Sequence, residues 1–90
     1  MAHFAKIEND TVTSVIVVSN EDCGGGNFPE SEPIGQAFLV LLGLDGLWLQ
    51  TSYHANFRSH YANANYTFDA LLGEYGEFVP PIVDPPIVEP

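Results

Sequence analysis

The first eighteen residues have the alternating, β-branched pattern of two strands. Residues 4–8 are followed by Asn9-Asp10, a pair that tolerates the positive φ of a two-residue hairpin turn, and then by the almost wholly β-branched run Thr11–Val18. This pattern predicts a β-hairpin. Because residues 15–18 are all apolar, we expect that half of the second strand to be central in the sheet and covered on both faces.

A polar segment, residues 20–31, separates this hairpin from an amphipathic stretch. Its Gly24-Gly25-Gly26 run favours a flexible loop, in which Cys23 stays exposed. Ser31 is then placed to cap a helix over residues 33–42, and Gly43 follows where a left-handed C-terminal cap is expected. Apolar positions at helical spacing predict an amphipathic helix, and they are Ile34, Ala37, Phe38, Leu41 and Leu42.

Three more strands are predicted in the second half of the chain. Residues 47–53 alternate, and both faces of this run carry large side chains. Residues 54–65 lack a period of 2 or 3.6, so we expect an ordered loop there. A second hairpin is predicted from residues 66–68 and 76–79, joined by a turn-rich connection. The order β-β-α-β-β-β indicates a small α+β domain, with a mostly antiparallel sheet and one helix, over residues 1–79.

The last eleven residues form a repeat. The sequence Pro80-Pro81-Ile82-Val83-Asp84 is followed by Pro85-Pro86-Ile87-Val88-Glu89 and then Pro90. So many prolines favour polyproline II or extended backbone, which at about 3.1 Å per residue reaches roughly 34 Å. We predict an extended arm over residues 80–90.

The arm has two interpretations. It is either an unstructured terminus in solvent, or a clip that places apolar side chains on a neighbouring subunit. Prolines lose little freedom on binding, which favours the clip. The candidate partner-binding residues are Pro80, Pro81, Ile82, Val83, Pro85, Pro86, Ile87 and Val88.

Length and composition exclude several classes of protein. Ninety residues allow one small domain, and a hydrophobic fraction of 46% with 16% charged residues argues against disorder. Two Lys+Arg against twelve Asp+Glu give a formal charge of −10, which would repel nucleic-acid phosphates. The apolar runs fall far short of the roughly 20 residues of a membrane span. We expect no nucleic-acid or membrane partner, and synthesis in a cytoplasm without a secretory leader.

The residues that could carry chemistry lack the spacing of known sites. His54 and His60 lie six positions apart, which matches neither a helical zinc pair nor a close strand pair. The carboxylates that precede Cys23 raise the pKa of its thiol and disfavour the reactive thiolate. We therefore expect no catalytic residues, no cofactor and no metal. Arg58, one of only two cations, is expected to pair with a carboxylate.

Seven short segments, in order along the chain, carry a family resemblance. They are Met1-Ala2-His3-Phe4-Ala5-Lys6-Ile7, Val15-Ile16-Val17-Val18-Ser19-Asn20, Trp48-Leu49-Gln50-Thr51-Ser52-Tyr53, Asn56-Phe57-Arg58, Tyr61-Ala62, Tyr66-Thr67-Phe68-Asp69 and Phe78-Val79-Pro80-Pro81. Over residues 1 to about 81, the chain resembles a family of small proteins encoded by marine tailed bacteriophages, including those of cyanobacteria. It departs from the family at Asn63-Ala64-Asn65, where relatives have Gly-Ile-Gly, and in its acidic arm, where relatives carry a basic residue soon after Pro-Pro.

The resemblance implies a virion structural protein rather than an enzyme, assembled in the host cytoplasm. The first expectation is a capsid decoration, or cement, protein on the outer head surface, where an acidic body does not face packaged DNA. Its expected partner is the major capsid protein or a second copy of the chain, with the arm on a neighbouring subunit. One alternative is a tail, neck or fibre component. Another is an acidic intracellular effector that imitates DNA.

Overall fold

Two strands joined by a tight turn form the middle of the sheet. In the computed structural model, which describes residues 1–81, β1 (Ala2–Glu8) pairs antiparallel with β2 (Thr11–Val18). Asn9 and Asp10 between them have φ values of 51° and 62°. Positive φ at both positions is the geometry of a type I′ turn, so the predicted hairpin is confirmed.

The remaining elements follow the predicted order. A short 3-10 turn (Glu21–Cys23) precedes α1 (Ser31–Leu41), and β3 (Leu47–Thr51), β4 (Thr67–Asp69) and β5 (Glu77–Val79) come after it. The five strands form one antiparallel sheet in the order β3-β1-β2-β4-β5. The predicted α+β fold, with one helix and an antiparallel sheet, is confirmed.

Helix α1 covers one face of the sheet at unusually close range. Phe4 of β1 lies directly under Gly35 of α1, and a Cβ atom on Gly35 would stand 2.3 Å from Phe4 Cζ and 2.9 Å from Cys23 Sγ. Only glycine permits this approach. The buried core on this face comprises Ala2, Phe4, Val18, Cys23, Leu39 and Trp48.

A second core lies on the opposite face of the sheet. It comprises Ala5, Ile7, Val12, Ala62 and Phe78. The predicted loop after β3 contributes Ala62 to this core, and β5 contributes Phe78. The backbone N–H of Phe78 donates to the carbonyl of Arg58 (3.0 Å), and that of Ala62 donates to Thr51 Oγ1 (2.9 Å). The loop over residues 54–65 is therefore tied to the sheet by specific hydrogen bonds.

The prediction that residues 15–18 are covered on both faces is wrong at Val17, which is 51% exposed. The reason lies in the pairing of β2. This strand lies between β1 and β4 in the sheet, but it meets β4 only at the Thr11–Thr67 pair. The far half of β2 consequently has no neighbour on that side, and an apolar run alone does not reveal where a short partner strand ends.

The segment before α1 also differs from its prediction. Cys23 is 1% exposed and packs in the first core, held by the 3-10 turn, so the expectation that it stays exposed is wrong. Ser31 does not cap the helix. It is the first helical residue, and its Oγ donates to Oε1 of Gln50 at 2.7 Å, which satisfies a buried amide.

The C-terminal end of α1 agrees with the sequence. Gly43 has a φ of 78°, and the backbone N–H of Leu44 donates to the carbonyl of Leu39 at 3.1 Å. This is the Schellman arrangement, in which a left-handed residue just beyond the helix lets the chain turn back on the last carbonyls.

Candidate binding surface

Helix α1 carries apolar side chains on the side that faces away from the sheet. Its buried positions are Ser31, Gly35 and Leu39, spaced four residues apart on one line. On the opposite side Leu41 is 85% exposed and Val40 is 72% exposed. We call this side the α1 surface, and it comprises Ile34, Ala37, Val40 and Leu41.

The apolar periodicity of α1 therefore describes mainly its outer side. A pattern of this kind ordinarily packs against the core. Here the sheet side includes the small residues Ser31 and Gly35, and the ring of Phe4 fills the space beneath Gly35. Of the five apolar positions predicted for the helix, Phe38 packs against the core, while Ile34 and Leu41 are among those that face outward.

The surroundings of the α1 surface are acidic, but the surface itself is neutral. Residues 33–44 contain no charged residue, and Glu32 and Asp45 flank them. Both cations of the chain are engaged within it: Lys6 Nζ lies 3.7 Å from a Glu8 carboxylate oxygen, and Arg58 is paired with Glu32. A partner that neutralises the acids around this surface must therefore supply its own cations.

Arg58 joins three parts of the fold. Its guanidinium forms a salt bridge with the Glu32 carboxylate of α1, donates to the Gln50 carbonyl of β3 at 2.8 Å, and donates through Nε to the Tyr75 carbonyl at 3.0 Å. It also stacks over the ring of Phe28, 5.0 Å from its centroid. The expectation that Arg58 pairs with a carboxylate is confirmed, and its side chain is buried while that of Glu32 is half-buried.

The outer edge of β3 is occupied by side chains. β3 is the last strand of the sheet, so alternate backbone groups point away from β1. The carbonyl of Trp48 accepts from Gln36 Nε2 (2.6 Å), and the N–H of Gln50 donates to Glu32 (2.7 Å). Together with the Arg58 contact, these bonds satisfy the carbonyl of Trp48 and both backbone groups of Gln50.

A cleft of 460 Å³ lies beside Arg58, and we call it the aromatic cleft. The rings of Phe28 and Phe57 stack with centroids 3.9 Å apart, and Tyr75 meets Phe28 edge-on at 5.0 Å. Its lining residues are Asn27, Phe28, Pro29, Asn56, Phe57 and Tyr75. Desolvation, helped by the Glu74 and Glu30 carboxylates, raises the pKa of the Tyr75 phenol.

The histidines do not form one site. His54 lies beside Tyr53 in a cluster that includes His3 and Tyr61, whereas His60 Nδ1 lies 2.9 Å from the Phe78 carbonyl. Burial lowers the pKa of His3, and the nearby His54 lowers it further. Within residues 1–81, no three His, Cys, Asp or Glu side chains are grouped so that they could hold a metal ion.

The predicted arm is described only at its start. Pro80 is half-buried and Pro81 is exposed. The other candidate partner-binding residues, Ile82, Val83, Pro85, Pro86, Ile87 and Val88, lie outside the described residues, so the division between domain and arm stays a prediction. Among the helices of residues 1–81, none has the length and apolar character to cross a membrane.

Comparison of the chain with protein-family models, with curated proteins and with solved structures gives no match. Function therefore has to be argued from the surfaces themselves. Two of them stand out in the described part of the chain: the α1 surface, because it exposes large aliphatic side chains, and the aromatic cleft, because it groups stacked rings with exposed amides. The sequence indicated the apolar positions of the first but not the assembly of the second, whose rings are brought together from three separate segments.

Proposed function

We propose that this chain is a structural protein of a tailed-bacteriophage particle, a decoration or cement protein bound to the outer surface of the head. The observation that carries the proposal is the α1 surface. Contiguous exposed apolar side chains are unfavourable in water and typically mark a surface that binds another protein. The resemblance of the sequence to small phage proteins supports the choice of a virion as the setting.

The α1 surface fits an apolar groove on the partner. Helix α1 has 11 residues and is about 16 Å long. Ile34, Ala37 and Leu41 recur at the i, i+3, i+7 spacing with which a helix anchors in a groove. We propose that the groove belongs to the major capsid protein and is edged by basic residues, since this chain has no uncommitted Lys or Arg to offer a second copy.

Charge supports an outward position. A formal charge of −10 on so small a body is repelled by packaged DNA, but it keeps an exposed surface hydrated. The arm supplies a second attachment, to a neighbouring subunit. Two linked contacts raise the effective concentration of each, so neither has to bind tightly alone.

Quantitative mass spectrometry of washed, purified particles tests this proposal. A decoration protein is expected at hundreds of copies per particle, and cryo-electron microscopy is expected to place α1 against the head. A count of about six to a few dozen would reassign the chain to a tail or neck ring. Absence from particles, with abundance in infected cells, would overturn a virion role and favour the DNA-imitating effector.

A further inference from the structure

We infer that the aromatic cleft binds the C-terminal arm of a second copy of this chain, so that neighbouring copies associate head to tail. The inference rests on the proposed function, because it names the surface that receives the arm. It is carried by the chemistry of the cleft, the composition of the arm, and the direction in which β5 leaves the domain.

The cleft has the chemistry that binds polyproline segments. Proline-rich segments dock in grooves lined by aromatic rings, which provide flat apolar faces for the pyrrolidine rings. The outer face of Phe57 and the ring of Tyr75 provide such faces, whereas the ring of Phe28 is covered by Phe57 on one side and by Arg58 on the other. Polyproline II has no internal hydrogen bonds, so its carbonyls need donors from the receptor. The exposed amides of Asn27 and Asn56 line the cleft and can supply them.

The arm has the matching composition. Each repeat offers two prolines and an Ile-Val pair, with the acids Asp84 and Glu89 at its end. The cleft volume of 460 Å³ falls within the range of about 300–1,000 Å³ typical of small binding sites. One Pro-Pro-Ile-Val unit is about 12 Å long at 3.1 Å per residue, so a single repeat suffices to fill one cleft.

The direction of β5 favours a second copy over the chain's own arm. Tyr75 precedes β5 (Glu77–Val79), whose pairing with β4 holds it extended. At about 3.3 Å per residue, β5 carries the chain roughly 16 Å from Tyr75 by Pro80. Pro80-Pro81 favours continuing in this extended direction, because both φ angles are restricted. The start of the arm therefore leads away from Tyr75, which favours a neighbouring copy as the receptor.

Arm and cleft are different patches of the same molecule, so the contact is not self-complementary. Such heterologous contacts generate a ring where the rotation closes and a string of copies where it does not. The acids of the arm meet Glu74 and Glu30 near Tyr75, which opposes binding at low salt. Because these charges are exposed, salt screens them, and attachment to a particle concentrates the copies.

Sedimentation of the full-length protein with paired variants tests the inference. The cleft variant is Tyr75→Ala, and the arm variant carries Ile82→Asp with Ile87→Asp. Wild-type protein is expected to self-associate, more strongly at about 0.5 M than at about 0.05 M NaCl. Each variant alone is expected to sediment as a monomer. An equimolar mixture contains one intact cleft and one intact arm, so it is expected to form a heterodimer that stops at two.

The control is Tyr53→Ala, which removes an exposed tyrosine outside the cleft and is expected to leave self-association unchanged. A labelled peptide of residues 79–90 provides a second measurement that needs no cleft variant. It is expected to bind the folded arm variant and to lose about tenfold or more in affinity when it carries the two aspartates.

Three results would overturn the inference: monomeric wild-type protein at both salt concentrations, a mixture of the variants that stays monomeric, or a peptide that fails to bind. None of them bears on the copy number in particles, so the proposed virion role would survive these results. Conversely, copies that associate in solution but are absent from particles would leave the arm contact intact and remove its virion setting.

Discussion

The carboxylate of Glu32 in α1 accepts hydrogen bonds from the guanidinium of Arg58, which lies 26 positions further along the chain. The same guanidinium binds the backbone carbonyl of Gln50 in β3. Only 6% of the Arg58 side chain and 16% of the Glu32 side chain are exposed, so this ion pair is largely desolvated. It joins the helix to the loop after β3 at the outer edge of that strand, and the loss of Arg58 would leave the Glu32 carboxylate without its cation.

Removing one member of the pair should therefore lower the free energy of unfolding. Arg58→Met is expected to lower the free energy of unfolding by about 3 kcal/mol, because Glu32 is left without its cation and two backbone carbonyls lose a donor. For a domain of this size that corresponds to a fall of roughly 12–24 °C in Tm. Urea denaturation measures the first quantity and thermal unfolding the second.

The double variant Arg58→Met with Glu32→Leu is the control for this prediction. Replacing both charges removes the uncompensated carboxylate, so it should be more stable than Arg58→Met alone. If the double variant is less stable than the single one by the full cost of Glu32→Leu, the two side chains act independently and the ion pair contributes nothing.

Gly35→Ala should destabilise the protein although alanine is the better helix former. Inside a helix, alanine is more stable than glycine by about 1 kcal/mol because of its higher helix propensity. The new Cβ would, however, stand 2.3 Å from the Phe4 ring, and overpacking of this kind costs about 1–3 kcal/mol. We expect a net loss in urea denaturation. Gly26→Ala, whose Cβ would meet nothing within 4 Å, should be close to neutral.

Leu41→Ser should weaken binding to particles without changing the stability of the fold. Leu41 is 85% exposed on the α1 surface, so its loss should change the free energy of unfolding by less than about 0.5 kcal/mol. Occupancy on particles that lack the wild-type protein should nevertheless fall. Leu71→Ser is the matched control, since Leu71 is 93% exposed and lies outside α1. Equal occupancy by the two variants would contradict the role of the α1 surface.

His3 should make stability depend on pH. Burial, with a contribution from His54, holds its pKa in the fold below the ordinary value of 6.5. The unfolded chain then binds the proton more readily, so stability is fully present above pH 6.5 and declines as the pH falls toward the folded pKa. Urea midpoints at about pH 7.5 and pH 5 should differ more for wild type than for His3→Gln. Identical pH dependence would contradict this.

The thiol of Cys23 should react only slowly with thiol-directed reagents while the protein is folded. Burial raises the pKa of its thiol, and the Asp22 carboxylate raises it further, so little thiolate forms at neutral pH. We expect slow reaction with a thiol-directed disulfide reagent in buffer and fast, stoichiometric reaction in urea. Rapid reaction without denaturant would mean that the 3-10 turn over Glu21–Cys23 opens readily.

The strands and the hairpin turn could be predicted because their signals are local. Asn9 and Asp10 specify their turn through their own tolerance of positive φ, and Gly43 ends α1 in the same way. These residues need no distant partner to adopt their conformation. The antiparallel fold follows from several such signals along the chain, which agree with one another.

Burial was harder to predict because it depends on contacts between distant segments. The outward direction of Leu41 follows from the fit of Phe4 under Gly35, two residues whose proximity no periodicity reveals. The same holds for Cys23, whose burial comes from packing against the sheet rather than from its glycine-rich neighbourhood. The aromatic cleft likewise requires Phe28 and Phe57 to meet across the fold.

The occupied edge of β3 limits how copies of this protein can approach one another. An unpaired edge strand is a template with which a strand of another chain can pair. Crowding many identical domains on one shell would favour such pairing between copies. Gln36, Glu32 and Arg58 already bind the Trp48 carbonyl and both backbone groups of Gln50, which such a strand would need. At this edge, dense packing can thus proceed through side-chain surfaces alone, without the fibres that an open strand would nucleate.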